Sequence, residues 1–333
     1  MGRTQRQLVR LALGSAVTAG FLWLFLREVD LPAAWSEIIA LPFWALAGSL
    51  GLVLVNVAVM ALRWRYLLEG AGYPVPLRSL FSTISVGRGA NNVLPARGGD
   101  LIRIESMREV ASVPAFVTAA TLFGERVLDG VVFSIFILTG ALLIGQGGAM
   151  LLTGIALAAG SGLGLSLLVL AAGHPDAASR FAARASRRLP VRWHERIVRA
   201  SAHFTEGLGA FAHTRRLALC LAGSAVMWLA DVAMFALVGR AFGLGLDAGA
   251  YFLLEGIGNL VLAVPATAAG FGSFDYLTLV AARGVDIPEH AATAYVLTMH
   301  ALVVLPITIL GAALVRPALP RVFRRGPAAE KGG

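Results

Sequence analysis

Two acids and a base fall together in Glu125-Arg126-x-x-Asp129, inside a long apolar stretch. On a helix Glu125 and Asp129 lie one turn apart on one face, and Arg126 stands at i,i+3 from Asp129, close enough to neutralise one carboxylate. The other carboxylate is then left to face an arginine elsewhere or to carry a proton, since burial favours the neutral acid. The alternative is a structural ion-pair cluster. A second group lies upstream, where Asn91, Asn92, Pro95, Arg97, Gly98, Gly99 and Asp100 are followed by Arg103. Guanidinium groups offer a rigid fork of donors suited to phosphate oxygens, so Arg97 and Arg103, with Asn92 and Asp100, are expected to bind an anionic headgroup. A third set is acidic: Asp231, Glu255 and Asp275, with His300 further on. Glu125, Arg126, Asp129, Glu255 and Asp275 are the expected gating, proton-binding or amine-binding residues, while His300 is expected to hydrogen-bond to a neighbouring helix. No HExxH or Cys/His cluster occurs, and a lone Cys220 builds neither a disulfide framework nor a thiolate site, so no metal or cofactor is expected.

The elements that must position these groups are membrane helices. The chain has 333 residues, 57% hydrophobic and only 14% charged, with a mean hydropathy of +0.76, where a soluble domain is about a quarter charged. A soluble single-core globule is excluded. Six runs approach the roughly 20 apolar residues needed to span a bilayer: 8–26, 42–62, 113–145, 149–172, 217–239 and 290–315. No small-x-small cleavage site follows the first, which reads as an uncleaved span. At membrane depth each ionisable group costs about 2.5–3.5 kcal/mol on insertion scales, which makes it a site candidate.

Two further stretches, 77–110 and 248–284, are apolar but broken by Pro, Gly and charge. Both read Asn, apolar residues, Pro-Ala, glycine and then Asp, and Pro95 and Pro265 lie 170 residues apart, about half the chain. The order span, broken hairpin, span therefore occurs twice, over 42–145 and 217–315. Pro95, Gly98, Gly99, Pro265, Gly270 and Gly272 are the expected hairpin backbone. Non-helical chain survives at membrane depth only where it is buried or lines a cavity, and paired interrupted segments in two inverted halves point to a transporter site near the midplane. The competing reading is two ordinary spans kinked by Pro and Gly.

Net charge is +9, which in a soluble chain would raise nucleic-acid binding; here it follows the positive-inside rule. With the N-terminus in the cytoplasm, 24 of the 28 basic residues fall inside, in clusters that include Arg63 and Arg65, the loop 173–216 and the tail 316–333. The loop carries nine arginines, with Arg180, Arg184, Arg187 and Arg188 on one helical face. It is either a lipid or partner patch or a solvated loop on anionic lipid. The expected fold is an all-α polytopic membrane protein of about six spans plus two opposed re-entrant hairpins in two inverted repeats, with both termini cytoplasmic. No nucleic-acid partner is expected.

Arg63-Trp64, Asn92-x-x-Pro95-x-Arg97-x-Gly99-Asp100-x-x-Arg103, Glu125-Arg126-x-x-Asp129, and Pro265 with Gly270, Gly272 and Asp275 together resemble the lysylphosphatidylglycerol synthase transmembrane-domain family, also described as flippase-like. The resemblance covers residues 8–316, with Asp100 where the family pattern usually has Glu. It implies a bacterial inner-membrane protein, free-standing or the membrane half of a larger synthase, that moves a lipid between leaflets. Phospholipids, polyprenyl-phosphate-linked lipids and hopanoid-type lipids are the implied partners, with a lipid-modifying enzyme alongside. The basic tail ending at Gly333 leaves no room for a synthase domain, so no enzymatic activity is expected. A membrane-embedded transferase and a scaffold for a lipid-modifying enzyme are the alternatives.

Overall fold

The structure is a computed structural model that describes residues 20, 23–27, 31–94, 98–145, 147–263, 270–285 and 287–315. Its helices are α1 (Leu31–Ile39), α2 (Phe43–Gly70), α3 (Leu77–Val93), α4 (Gly98–Ala111), α5 (Ala115–Leu143), α6 (Ala149–Gly173), α7 (Pro175–Ser186), α8 (Val191–Gly207), α9 (Thr214–Ala241), α10 (Ala248–Ala263), α11 (Ser273–Gly284) and α12 (Glu289–Ala313), with a 3-10 turn at Gly209–Ala212. Five of them, α2, α5, α6, α9 and α12, are long and apolar enough to cross a membrane. They coincide with five of the six apolar runs, and the chain is an all-α polytopic membrane protein. Most of the first run, 8–26, and the tail 316–333 lie outside the described residues.

Proline and glycine mark the helix ends. Pro42, Pro76, Pro114, Pro190 and Pro288 stand immediately ahead of α2, α3, α5, α8 and α12, where a fixed φ and a missing N–H do no harm. Gly72 at φ +88° and Gly243 at φ +70° turn the chain in a left-handed conformation after α2 and α9. These two turns occupy equivalent places, because the order long helix, two short helices, long helix occurs twice, in α2–α5 and in α9–α12.

The helix contacts follow the same duplication. Helices α2 and α9 run antiparallel: Gly48 faces Leu237, Asn56 donates to the Met227 carbonyl, and Arg63 donates to Ser224. Helix α3 runs antiparallel to α12, with Gly89 against Ile307 and Thr308 and Gly311 against Ser85. Its counterpart α10 runs antiparallel to α5, with Gly249 against Leu143, Gly140 against Leu253 and Gly256 against Ile137. A Cβ on Gly140 would sit 2.7 Å from the Gly249 carbonyl oxygen, so these backbones touch, as small residues permit in membrane helix pairs. Each helix thus meets the counterpart expected from an approximate two-fold axis lying across the helices.

Helix α6 buries only Gly154 and Leu168 and turns the rest of its surface outward. The stretch 173–216 is not a loop. It holds α7, α8 and the 3-10 turn, and α7 ends at Ser186, so Arg180 and Arg184 share its face while Arg187 and Arg188 lie beyond it. Helix α8 returns to the bundle where Gly207 packs on Val117 and Ala120, and Gly209 lies against Gly70. The C-terminal end of α2 and the N-terminal ends of α5 and α9 therefore share one end of the molecule. There the Tyr73 hydroxyl donates to Glu206 at 2.9 Å, and burial followed by that carboxylate pushes its phenol above the ordinary value.

Candidate functional site

Four charged side chains from three helices converge a few turns in from that end. Glu125 stands ten residues into α5, about 15 Å along its axis. Arg63 from α2, Arg103 from α4, and Glu125 and Asp129 from α5 are exposed by only 1%, 2%, 1% and 3%. Arg63 Nη1 lies 2.5 Å from Asp129 Oδ1 and donates to Ser224 Oγ at 2.6 Å, while its Nη2 is 3.6 Å from Glu125 Oε1. Arg103 Nη2 is 3.0 Å from Glu125 Oε2. The same oxygen of Asp129 accepts the Trp228 indole N–H at 3.0 Å. The Arg103 guanidinium lies 4.1 Å above the centre of the Trp64 ring, a cation–π contact strengthened by desolvation. That ring is fixed in turn by its N–H to Thr121 Oγ1 at 3.0 Å. Two positive and two negative charges are matched, as sealed ions require.

This arrangement corrects two expectations. Arg126 does not neutralise Asp129. It is half-exposed and points the other way, 3.6 Å from Asp100 on α4, because helical spacing brings neighbours near without deciding which face meets the core. Asp129 takes Arg63 instead, a residue assigned from the charge pattern to the cytoplasmic cluster. Helix α2 continues to Gly70, so Arg63 lies well inside it, and Arg65, two residues further on and partly exposed, pairs with Glu69 at the surface at 2.6 Å.

The other residues of the first hairpin make contacts of their own. Asn92 Nδ2 donates to Thr308 Oγ1 at 2.9 Å and to the Val304 carbonyl at 3.3 Å, tying α3 to α12 beside Pro306, which lies inside that helix and lacks an N–H. Through these two bonds it braces α3 against α12. Asp100 accepts from Asn91 at 3.0 Å. Gly99 packs against the Gly87 carbonyl and Asn91, and Gly98 against Leu94, too close for side chains. Arg97 and Pro95 lie outside the described residues.

A second polar layer lies deeper. Arg88 Nη1 donates to Asn56 Oδ1 at 3.0 Å, and Asn56 Nδ2 donates to Asp231 Oδ1 at 2.9 Å. Arg88, Asn56 and Asp231, with Val53, Val57, Met234, Val303 and Ile307, line a cavity of about 20 Å³, room for one water. Beyond it, Glu255 is fully buried, with Oε1 accepting from Asn259 at 2.9 Å. In the second hairpin Gly270 and Gly272 take φ +77° and +79°, and the Gly272 N–H donates to Asp275 Oδ2 at 3.0 Å. Asp275 Oδ1 is 2.6 Å from His300 Nδ1, and the imidazole lies between Phe271 and Phe274, with ring centres 4.9 and 4.8 Å away. Pro265 lies outside the described residues.

Asn56, Trp64, Trp228 and Arg63 entered no expected site. An asparagine in the middle of the run 42–62 was the available signal for the first, since an amide in a span seeks a partner; nothing local distinguishes the two tryptophans.

Residues 11–311 match the model of a family described as the lysylphosphatidylglycerol synthase TM region. An 88-residue segment is 28% identical to the UPF0104 membrane protein MJ1595 of Methanocaldococcus jannaschii, covering 26% of each chain. The aligned segment is thus about a quarter of that relative, while the family match takes in α2 through most of α12 and with them every charged layer of the centre. The chain belongs to the lysylphosphatidylglycerol synthase TM region family.

Proposed function

We propose that the protein is a flippase-like transporter that moves a lipid, or a lipid-linked anionic headgroup, between the leaflets of the bacterial inner membrane. The observation that carries this reading is the pair of sealed guanidinium groups. Nε of Arg63 and Nε of Arg103 are buried with no hydrogen-bond partner, so each retains a donor for which the protein supplies no acceptor. Unfilled donors in a dry site are costly, and phosphate oxygens would fill them. On this reading Arg97 and Arg103 take the headgroup at the first hairpin, and Glu125 exchanges its hold on Arg103 for the arriving anion.

The two hairpins, α3–α4 and α10–α11, are re-entrant in this proposal and enter from opposite membrane faces, with both termini cytoplasmic. The antiparallel pairing of equivalent helices supports that inversion, and opposed broken segments are where transporters of inverted design open alternately. Chemistry on the lipid is left to a separate enzyme, and no cofactor is needed.

Proteoliposomes with a labelled anionic phospholipid or polyprenyl phosphate provide the test. Leaflet exchange above that of empty vesicles is expected, slowed by Arg97→Ala and by Arg103→Ala. Exchange equal to empty vesicles for every lipid tried would sink the proposal. Covalent product from the pure protein would favour a transferase, and stable capture of an enzyme with no effect of either substitution a scaffold.

A further inference from the structure

The charges of the central polar layers do not cancel. Arg63, Arg88 and Arg103 bring three positive charges, and Glu125, Asp129, Asp231 and Glu255 bring four negative ones. Glu125 has Arg103 and Asp129 has Arg63. Asp231 is bridged to Arg88 through Asn56, and both border the small cavity. Glu255 is the remainder. It is 0% exposed, one oxygen takes the Asn259 amide, and Oε2 is buried without a hydrogen-bond partner. No guanidinium among the described residues lies within ion-pair distance of it. An ionised carboxylate has about four lone-pair sites to fill, and a buried one that finds neither donors nor a cation takes up a proton instead.

The groups around it reinforce this. Asp231 on α9 and Glu125 and Asp129 on α5 are the buried acids of two helices packed against α10. Helix α11, which packs on α10, contributes Asp275, already engaged by the Gly272 N–H and His300 of α12. No cation among these faces Glu255.

We propose that Glu255 is a proton-binding site that couples lipid movement to the proton gradient. Its carboxyl group is neutral while the centre is sealed, as in this structure. When water reaches the site, the O–H bond breaks, the proton passes to water and the carboxylate remains, solvated, until the site is dry again and a proton returns. The coupling rests on the transport reading above; the protonated state does not.

Two measurements separate them. Infrared titration of the full protein in nanodiscs reads the carbonyl stretch of neutral carboxyl groups. A band present at neutral pH is expected to vanish in Glu255→Gln and to shift in Glu255→Asp. In proteoliposomes with labelled phosphatidylglycerol, a gradient of one pH unit is expected to change the exchange rate of the unaltered protein up to about tenfold, and that of Glu255→Gln less than about twofold. A band unaffected by Glu255→Gln overturns the proton site. Exchange that ignores the gradient overturns the coupling. A Glu255-dependent band in a protein without exchange upholds the proton site and rejects transport alone.

Discussion

Arg63 and Asp129 stand 66 residues apart in the chain and 2.5 Å apart in the fold, so the charge that ends one apolar run is the partner of an acid in the middle of another. Their pairing clamps α2 to α5 with both side chains buried.

Asp129→Ala therefore leaves two sealed guanidinium groups, Arg63 and Arg103, to share the single carboxylate of Glu125. A loss of about 3–5 kcal/mol is expected, read as a fall in the thermal unfolding midpoint in detergent or nanodiscs. Pairing Asp129→Leu with Arg63→Met should recover most of that loss, since an apolar pair removes the stranded charge. No recovery in the double variant would mean that Ser224 and Trp228 hold the cluster without the ion pair.

Trp64 has two separable roles. Trp64→Phe keeps a ring beneath Arg103 and removes only the bond to Thr121, which should cost about 0.6 kcal/mol, the mean for such bonds in membranes. Trp64→Leu also removes the cation–π contact and should cost about 2 kcal/mol more, with slower lipid exchange because Arg103 loses its platform. Equal stability of the two variants would show that the ring face is unimportant.

The antiparallel crossing of α2 and α9 can be checked by crosslinking. In a Cys220→Ala background, Gly48→Cys with Leu237→Cys is expected to oxidise readily, because a Cβ on Gly48 falls 2.7 Å from the Leu237 side chain. Gly48→Cys with Leu219→Cys, near the opposite end of α9, should stay reduced. The reverse pattern would require the two units to run parallel.

Single cysteines near the hairpin tips test the opposed entry. Leu94→Cys and Phe271→Cys replace residues that are 40% and 51% exposed. An impermeant thiol reagent should reach the first from the cytoplasmic side and the second from the other side. Labelling of both from one side would refute re-entrant hairpins of opposite entry.

The long apolar runs and the breaks between them could be read from the sequence because both are local. Hydrophobic length sets a span, and Pro114 or Pro288 sets where it starts. Partner choice could not be read. Arg126 stood beside Asp129 on any helical projection, yet the partner came from α2, since a single sequence reveals neighbours within one helix and not the facing residues of another. Arg63 was misplaced for a related reason: an arginine ends an apolar window, and only the packing of α2 against α9 shows that the helix continues beyond it. Asn92 stood out as an amide beside a Pro-Gly break, but its bonds to α12 could not be read from the sequence. The acids of the second half were recognisable as anomalous, but which of them lacked a cation depended on Arg88 reaching Asn56 from the first hairpin.

The glycine seam between α3 and α12 has a consequence for biogenesis. Gly89 finds Ile307 and Thr308 only when the last long helix has been made, and α10 rests in the same way on α5, a helix from the other unit. Each hairpin thus takes one packing partner from the opposite half. A nascent chain arrested before α12 would hold α3 without this partner, so truncation there should destroy more than the segment it removes.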